Sequence, residues 1–250
     1  MKNFLIFFFI GIMLISCKED KETITIAAAA DLQYALDDIK AEFIKKNPNT
    51  KVEVIYGSSG NLYQQIVNKA PFDVFFSADI LYPNKLDSAG LAATKPKLYA
   101  IGFLVLWTAK LDTLQGLDLL ISKEVNKIAL ANPKHAPYGK RAVEFLKHYN
   151  YYDKVKDKFV EGENISQTAQ FVLTGNAEIG IIALSLALSP AMQKEGKFIL
   201  IDEKSHSPLE QAYTIVKGSE TKSGVQQFYD FVGTPEAREI FTKYGFRLPK

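Results

Sequence analysis

The sequence predicts an α/β fold with mainly parallel sheets, and two observations carry that expectation. Short β-rich apolar segments alternate with segments of helical period along most of the chain. Apolar residues make up 47% of 250, and 30 Lys and Arg against 28 Asp and Glu leave a net charge of +2. This is the composition of a folded soluble chain, not of a disordered, collagen-like or multi-span membrane one. The length allows one large domain or two small ones, at about 100–200 residues each. The charge balance contains no basic domain for nucleic acid. A single Cys excludes a disulfide framework and a multi-cysteine zinc or iron–sulfur site.

Met1-Lys2-Asn3 is a short positive start, and Phe4 to Ile15 is an uncharged apolar run. The run is too short to span a bilayer, which needs about 20 residues. It reads as the apolar region of a secretory signal peptide over residues 1–16. It ends in Leu14-Ile15-Ser16-Cys17, which resembles a bacterial lipoprotein processing box. That resemblance implies cleavage before Cys17 and acylation of its thiol. Residues 17–22 then form a charged, solvated tether.

Thr23 to Ala27 is the first strand. Leu32, Ala35, Leu36, Ile39 and Phe43 recur at helical spacing, and Asn47-Pro48-Asn49 stops that helix. Val52, Val54 and Tyr56 alternate as a strand, Gly57 to Gly60 is a turn, and Leu62 to Lys69 is helical. Asp73–Ser77, Phe103–Trp107, Lys127–Ala131, Ile179–Ile182, Phe198–Ile201 and Tyr213–Lys217 read as further strands. Arg141–Tyr149, Val225–Val232 and Pro235–Tyr244 read as helices.

Three strand-to-helix junctions hold the polar chemistry. Ala27-Ala28-Ala29-Ala30-Asp31-Leu32 ends a strand in small residues and places Asp31 where a helix cap belongs. Tyr56-Gly57-Ser58-Ser59-Gly60-Asn61-Leu62 puts two hydroxyls at a helix start. Asn132 to Gly139, with Pro137 and Tyr138, precedes another helix. Unpaired N–H groups at several helix starts facing one cleft would hold a small oxyanion without Lys or Arg. Taken singly, each junction reads as an ordinary capped turn.

The ordered set of segments is more specific. Ile24 to Leu32, Gly57 to Leu62 and Ala70 to Asp79 are joined by Ala131-Asn132-Pro133, Pro137-Tyr138-Gly139, Gly175 to Ile181 and Phe241 to Phe246. Together they resemble the molybdate-binding proteins of bacterial ABC transporters, from about Thr23 to Phe246. The resemblance implies a two-lobed periplasmic-binding-protein-like α/β fold (type II) with the ligand cleft between lobes. It places residues 23–101 plus 215–250 in a discontinuous first lobe and 102–214 in the second. The crossings fall near Ala100–Phe103 and Tyr213–Ile215. By position, the oxyanion ligands are Ala30, Asp31, Ser59, Tyr138 and the N–H of Ile165, with Ser58 and Ala183 as secondary candidates. Molybdate would be held through its oxygens by Asp31, Ser59, Tyr138 and Ile165, with no other cofactor.

Two positions depart from many relatives. A hydroxyl residue often stands where this chain has Asp31, so Asp31 is expected to turn back and cap its helix while its N–H faces the anion. Ala183 stands where some members have a ligand Tyr, and Tyr138 is expected to supply a phenol from another junction. Lys134, Lys140 and Arg141 read as solvated charges at a helix start, able to steer anions. His135, His148 and His206 show no metal-ligand spacing. No G-x-S-x-G elbow or P-loop is present.

The resemblance therefore implies an extracytoplasmic lipoprotein, anchored through Cys17, that captures molybdate and tungstate. It would deliver them as a monomer to an ABC importer permease, with no chemical step. A binder of another tetrahedral oxyanion such as sulfate, or an enzyme on a similar fold, remains the alternative.

Overall fold

The structure, a computed structural model, describes residues 21–111 and 116–250. The expected signal segment 1–16, Cys17 and the tether up to residue 20 lie outside the described residues. Two five-stranded sheets form the framework. The first has the order β2-β1-β3-β10-β4, from β1 (Glu22–Ala29), β2 (Thr50–Gly57), β3 (Val74–Ser77), β4 (Lys97–Gly102) and β10 (Leu209–Ile215). The second has the order β7-β6-β8-β5-β9, from β5 (Leu104–Thr108), β6 (Ile128–Ala131), β7 (Phe159–Gly162), β8 (Ile179–Ala183) and β9 (Lys197–Leu200).

Helices α1 (Gln33–Lys46), α2 (Ser59–Val67) and α3 (Leu81–Ser88) lie with the first sheet. α4 (Pro137–His148), α5 (Tyr152–Val155), α6 (Ile165–Leu173), α7 (Leu184–Ala187) and α8 (Pro190–Glu195) lie along the second stretch of chain. α9 (Ser223–Phe231) and α10 (Pro235–Lys243) return to the first sheet. The helical spacing read in α1 is the buried face: Ala35, Leu36, Ile39 and Phe43 are all interior. Phe43 meets Phe228 of α9 edge-on, with ring centroids 5.0 Å apart. The second core packs Trp107, Phe145, Val172 and Ile181 between its sheet and α4 and α6.

Both sheets are mixed, not mainly parallel. β1 runs parallel to β2 and β3, and β6 parallel to β7 and β8. β10 is antiparallel to β3 and β4, and β5 antiparallel to β8 and β9. The connectivity explains the difference. The chain leaves the first sheet on β4, passes through Phe103 alone into β5, and comes back on β10. An outgoing and an incoming strand laid side by side must run in opposite senses. The return also falls earlier than Tyr213–Ile215, since β10 pairs within the first sheet from Leu209, opposite Gly102. The passage back is therefore the segment 201–208. β4, β7, α3 and α6 are additional elements that the periodicity did not reveal.

Asp73 fastens the first sheet. Its buried carboxylate accepts from Thr25 N–H at 2.8 Å, from the Ser219 hydroxyl at 2.7 Å and from Lys222 Nζ at 2.8 Å. It thus ties the edge of β3 to β1 and to the turn before α9. Asp73→Ala leaves the Thr25 donor unpaired and should cost roughly 3 kcal/mol of stability. A urea midpoint unchanged from the parent would contradict this role.

Candidate anion-binding site

The carboxyl ends of β1, β2 and β3 face those of β6 and β7 across the gap between the sheets. In open α/β sheets this is where ligands bind. Each strand end runs into a helix start. The small residues that finish β1 lead through a 3₁₀ turn, Ala30–Leu32, into α1. β2 ends at Gly57, and α2 begins at Ser59 with Ser58 in the capping position. α4 begins with Pro137, whose missing N–H costs nothing at a first helical position. α6 begins at Ile165, and Asn164 caps it by accepting Gln167 N–H at 3.0 Å.

A cavity lies where these starts meet. Its walls include Ala30, Asp31, Ser58, Ser59, Tyr138 and Ile165, and no Lys or Arg is among its lining residues. About 10 Å³ is open to the centre of a water-sized sphere, about the room of one water molecule. The structure thus brings together the five expected positions Ala30, Asp31, Ser59, Tyr138 and Ile165, and Ser58 with them. Ala183 is fully buried at the end of β8 but is not a wall residue. A larger depression of about 550 Å³ between α1 and α10 is lined by Asp38, Glu42, Glu236 and Glu239. Those carboxylates make it hostile to anions.

The two serines differ. Ser59 Oγ accepts the N–H of Ala78 at 3.0 Å, which leaves its hydroxyl hydrogen free to donate into the cavity. Ser58 Oγ is buried and has no hydrogen-bond partner, although it sits in a capping position. A buried hydroxyl without a partner costs about 1–3 kcal/mol, and a guest that accepts from it removes that cost.

Asp31 does not cap its helix, contrary to expectation. Its Oδ2 turns away from the helix start and accepts from Gln211 Nε2 of β10 at 2.6 Å and from the Tyr138 hydroxyl at 3.1 Å. Gln211 is in turn held by Tyr99 of β4, whose hydroxyl donates to Oε1 at 2.6 Å. Asp31 Oδ1 is buried and has no partner. Burial pushes the carboxyl up from 3.8 to about 6, and the bonds from Gln211 and Tyr138 only partly offset this. Burial, and then the Asp31 charge, push the Tyr138 phenol well above its ordinary value, so it is a neutral donor.

The Tyr138 phenol was expected to point its proton at an anion; here that proton goes to Asp31, because a phenol has only one. Asp31, a residue of the cavity wall, also carries an unpartnered acceptor in Oδ1. Arg141 is not a solvated charge: it is 7% exposed and pairs with Asp79 at 2.8 Å and Glu144 at 2.9 Å.

Further bonds join the two sheets' elements around the cavity. Gly60 N–H donates to His135 O at 2.9 Å, Ser185 Oγ to Asp31 O at 2.7 Å, and Ser166 Oγ to Gln33 Oε1 at 2.7 Å. Two glycines permit this closeness. A Cβ on Gly60 would lie 2.7 Å from His135 O, and one on Gly102 would collide with the Tyr138 hydroxyl. Gln211, Tyr99, Ala78 N–H and the Asp79–Arg141 pair escaped the sequence reading. The one signal available was Gln211, an amide directly before the mostly apolar run Ala212 to Val216.

Comparison with known proteins gives the family of the chain. The family model of the bacterial extracellular solute-binding proteins matches residues 24–247. The molybdate-binding protein ModA of Azotobacter vinelandii is 34% identical, over 96% of this chain and 95% of its own length. The molybdate-binding protein ModA of Rhodobacter capsulatus is also 34% identical, over 88% of this chain and 86% of its own. The solved structure of the periplasmic molybdate-binding protein of A. vinelandii superposes with a TM-score of 0.85 at 33% identity. It covers 91% of this chain and 100% of that one. These relatives are solute-binding proteins, with no cofactor and no enzymatic step. Fold, strand-end cavity and sequence likeness together make this chain a member of the bacterial extracellular solute-binding proteins, in the group of the molybdate-binding proteins.

Proposed function

We propose that this chain captures molybdate in the strand-end cavity and delivers it, outside the cytoplasm, to the permease of an ABC importer. One observation carries the reading. Helix starts from both sheets and the Ser58 and Ser59 hydroxyls converge on one small cavity with no Lys or Arg in its wall. Helix N-terminal N–H groups and hydroxyls hold an oxyanion by directed hydrogen bonds and a partial positive charge. Molybdenum would be reached only through its oxygens. Ala30, Asp31, Ser59, Tyr138 and Ile165 are the proposed wall, with the Ser59 hydroxyl and the helix-start N–H groups as donors and Ser58 added by its unpaired hydroxyl. Tungstate has the same charge and shape, so the same donors serve it. The Cys17 lipid anchor and the signal segment 1–16 belong to this reading, supported by an apolar run that ends at the chain's single Cys.

The two sheets are proposed as the cores of two lobes, joined by the passages at Phe103 and 201–208. Capture then closes them, because each lobe contributes only part of the donor set.

Titration calorimetry should give one site for molybdate and for tungstate, with sulfate and phosphate bound far more weakly. No heat with any of the four, or sulfate bound as tightly as molybdate, would overturn the assignment. Ser59→Ala removes a donor to a charged guest and should weaken molybdate binding about 10- to 150-fold. Equal affinity in the variant would remove Ser59 from the site.

Gly60→Ala tests closure. Alanine favours a helix over glycine by about 1 kcal/mol, so the ligand-free chain should melt no lower than the parent. The added methyl also comes 2.8 Å from the Tyr82 hydroxyl, the end of a side chain that can turn aside, but it meets the His135 backbone, which cannot, only when the lobes are together. Molybdate affinity should therefore fall, and small-angle scattering should show less compaction on adding molybdate than in the parent. Parental affinity and compaction would contradict a moving cleft.

A further inference from the structure

We propose that one proton is held between Asp31 Oδ1 and the captured oxyanion, so that capture consumes a proton and Asp31 selects for the more basic oxyanion. The inference rests on the reading of the cavity as an oxyanion site and goes beyond it, since donors alone require no proton.

The two oxygens of this carboxyl have different surroundings. Oδ2 is saturated by Gln211 Nε2 and the Tyr138 hydroxyl, as a carbonyl-like acceptor would be. Oδ1 is buried without a partner, in a residue that lines the cavity and is 1% exposed. A proton on Oδ1 turns an unsatisfied carboxylate acceptor into a donor for the guest. Without it, a carboxylate would face a dianion in a site with no cation and little water to screen it. The same bond is reached from either side. Either Oδ1–H donates to an oxyanion oxygen, or the oxyanion arrives protonated and donates to Oδ1. In both cases one proton from solution enters the complex when Asp31 begins ionised.

The surroundings leave no other group to neutralise that charge. Packed against Asp31 are Tyr138 from α4, Gln211 from β10, Tyr99 from β4, Ser185 from α7 and the wall residues of α2 and α6. The two phenols among them stay neutral, pushed well above their ordinary values by burial. The charged residues of α4 nearby, Arg141 with Asp79 and Glu144, are committed to one another. On α1, Asp37 pairs with Lys40 and Tyr56, and Asp38 with Lys243 and Tyr244. His135, beyond the Gly60 contact, pairs with Glu163 at 3.3 Å. The upward shift of the Asp31 carboxyl to about 6 puts its proton within reach of neutral solution, and a bound dianion raises it further.

Basicity then becomes a selection rule. An O–H donor bonds more strongly to a more basic acceptor, and molybdate is a stronger base than sulfate at the same charge. Asp31 would favour molybdate where size alone discriminates weakly.

The test is calorimetry of the whole chain with micromolar molybdate between pH 6 and 8.5, in Tris and in HEPES, whose protonation heats differ. The buffer dependence of the heat counts protons. The expected count rises toward one per molybdate at pH 8, and affinity falls about tenfold per pH unit above the ligand-free pKa of Asp31. Asp31→Asn keeps the shape: its carbonyl takes the partners of Oδ2 and its amide donates to the guest. That variant should bind with no proton count and no pH slope, and should discriminate less between molybdate and sulfate. Molybdate bound by the parent with no proton uptake at pH 8 overturns the proposal and leaves the oxyanion site standing. Proton uptake that persists in Asp31→Asn belongs to another group and overturns the proposal equally. If the variant does not fold, the parent's buffer dependence decides alone. A parent that binds no molybdate at any pH removes both readings together.

Discussion

A buried oxyanion without a counter-cation must be held by neutral donors, and here the donors are divided between two sheets. The N–H groups at the start of α2 belong to the first sheet, those of α4 and α6 to the second. No one of these helices can surround a guest alone. The split explains why strand ends, and not strand faces, carry the polar residues, and why the cavity sits where β1, β2, β6 and β7 finish. It also explains the small residues of the walls. Ala29, Ala30 and Ala78 have only a methyl side chain, so they leave the backbone at the wall open.

Bringing two sheets together costs desolvation, and the bonds around the cavity offset it. Asp31 is the centre of that arrangement. Through Oδ2 it accepts from Gln211 of the first sheet and from Tyr138 of the second, while its carbonyl accepts from Ser185. The buried Arg141–Asp79 pair makes a second crossing on another side. One residue thus bonds elements of both sheets and also lines the cavity. The same burial that makes its carboxyl a weak acid lets a carboxyl tolerate a place beside an anion.

The alternation of strands and helices was legible because apolar period reports which face is buried. α1 shows this directly, with the spacing of Leu36, Ile39 and Phe43 matching its interior face. The strands β4 and β7 were not legible, since half-exposed residues such as Lys97, Leu98 and Phe159 blur the pattern. The junction residues Asp31, Ser58, Ser59 and Tyr138 stood out because small and hydroxyl residues cluster at helix starts. Their orientation did not. Whether Asp31 caps a helix or bonds Gln211 depends on a residue 180 positions away, which no local pattern encodes. The burial of Arg141 is hidden for the same reason, because its partner Asp79 lies 62 positions upstream.

The central claim is that helix starts of both sheets enclose one oxyanion at the ends of their strands. Crystals of the chain grown with molybdate test it most directly, because molybdenum is located by its anomalous scattering without reference to any assumed site. The account predicts one strong peak enclosed by Ala30, Asp31, Ser58, Ser59, Tyr138 and Ile165. Its oxygens should lie within hydrogen-bonding distance of the Ser59 hydroxyl and of Asp31 Oδ1. A peak elsewhere on the molecule, or a closed cavity without molybdenum, would contradict it.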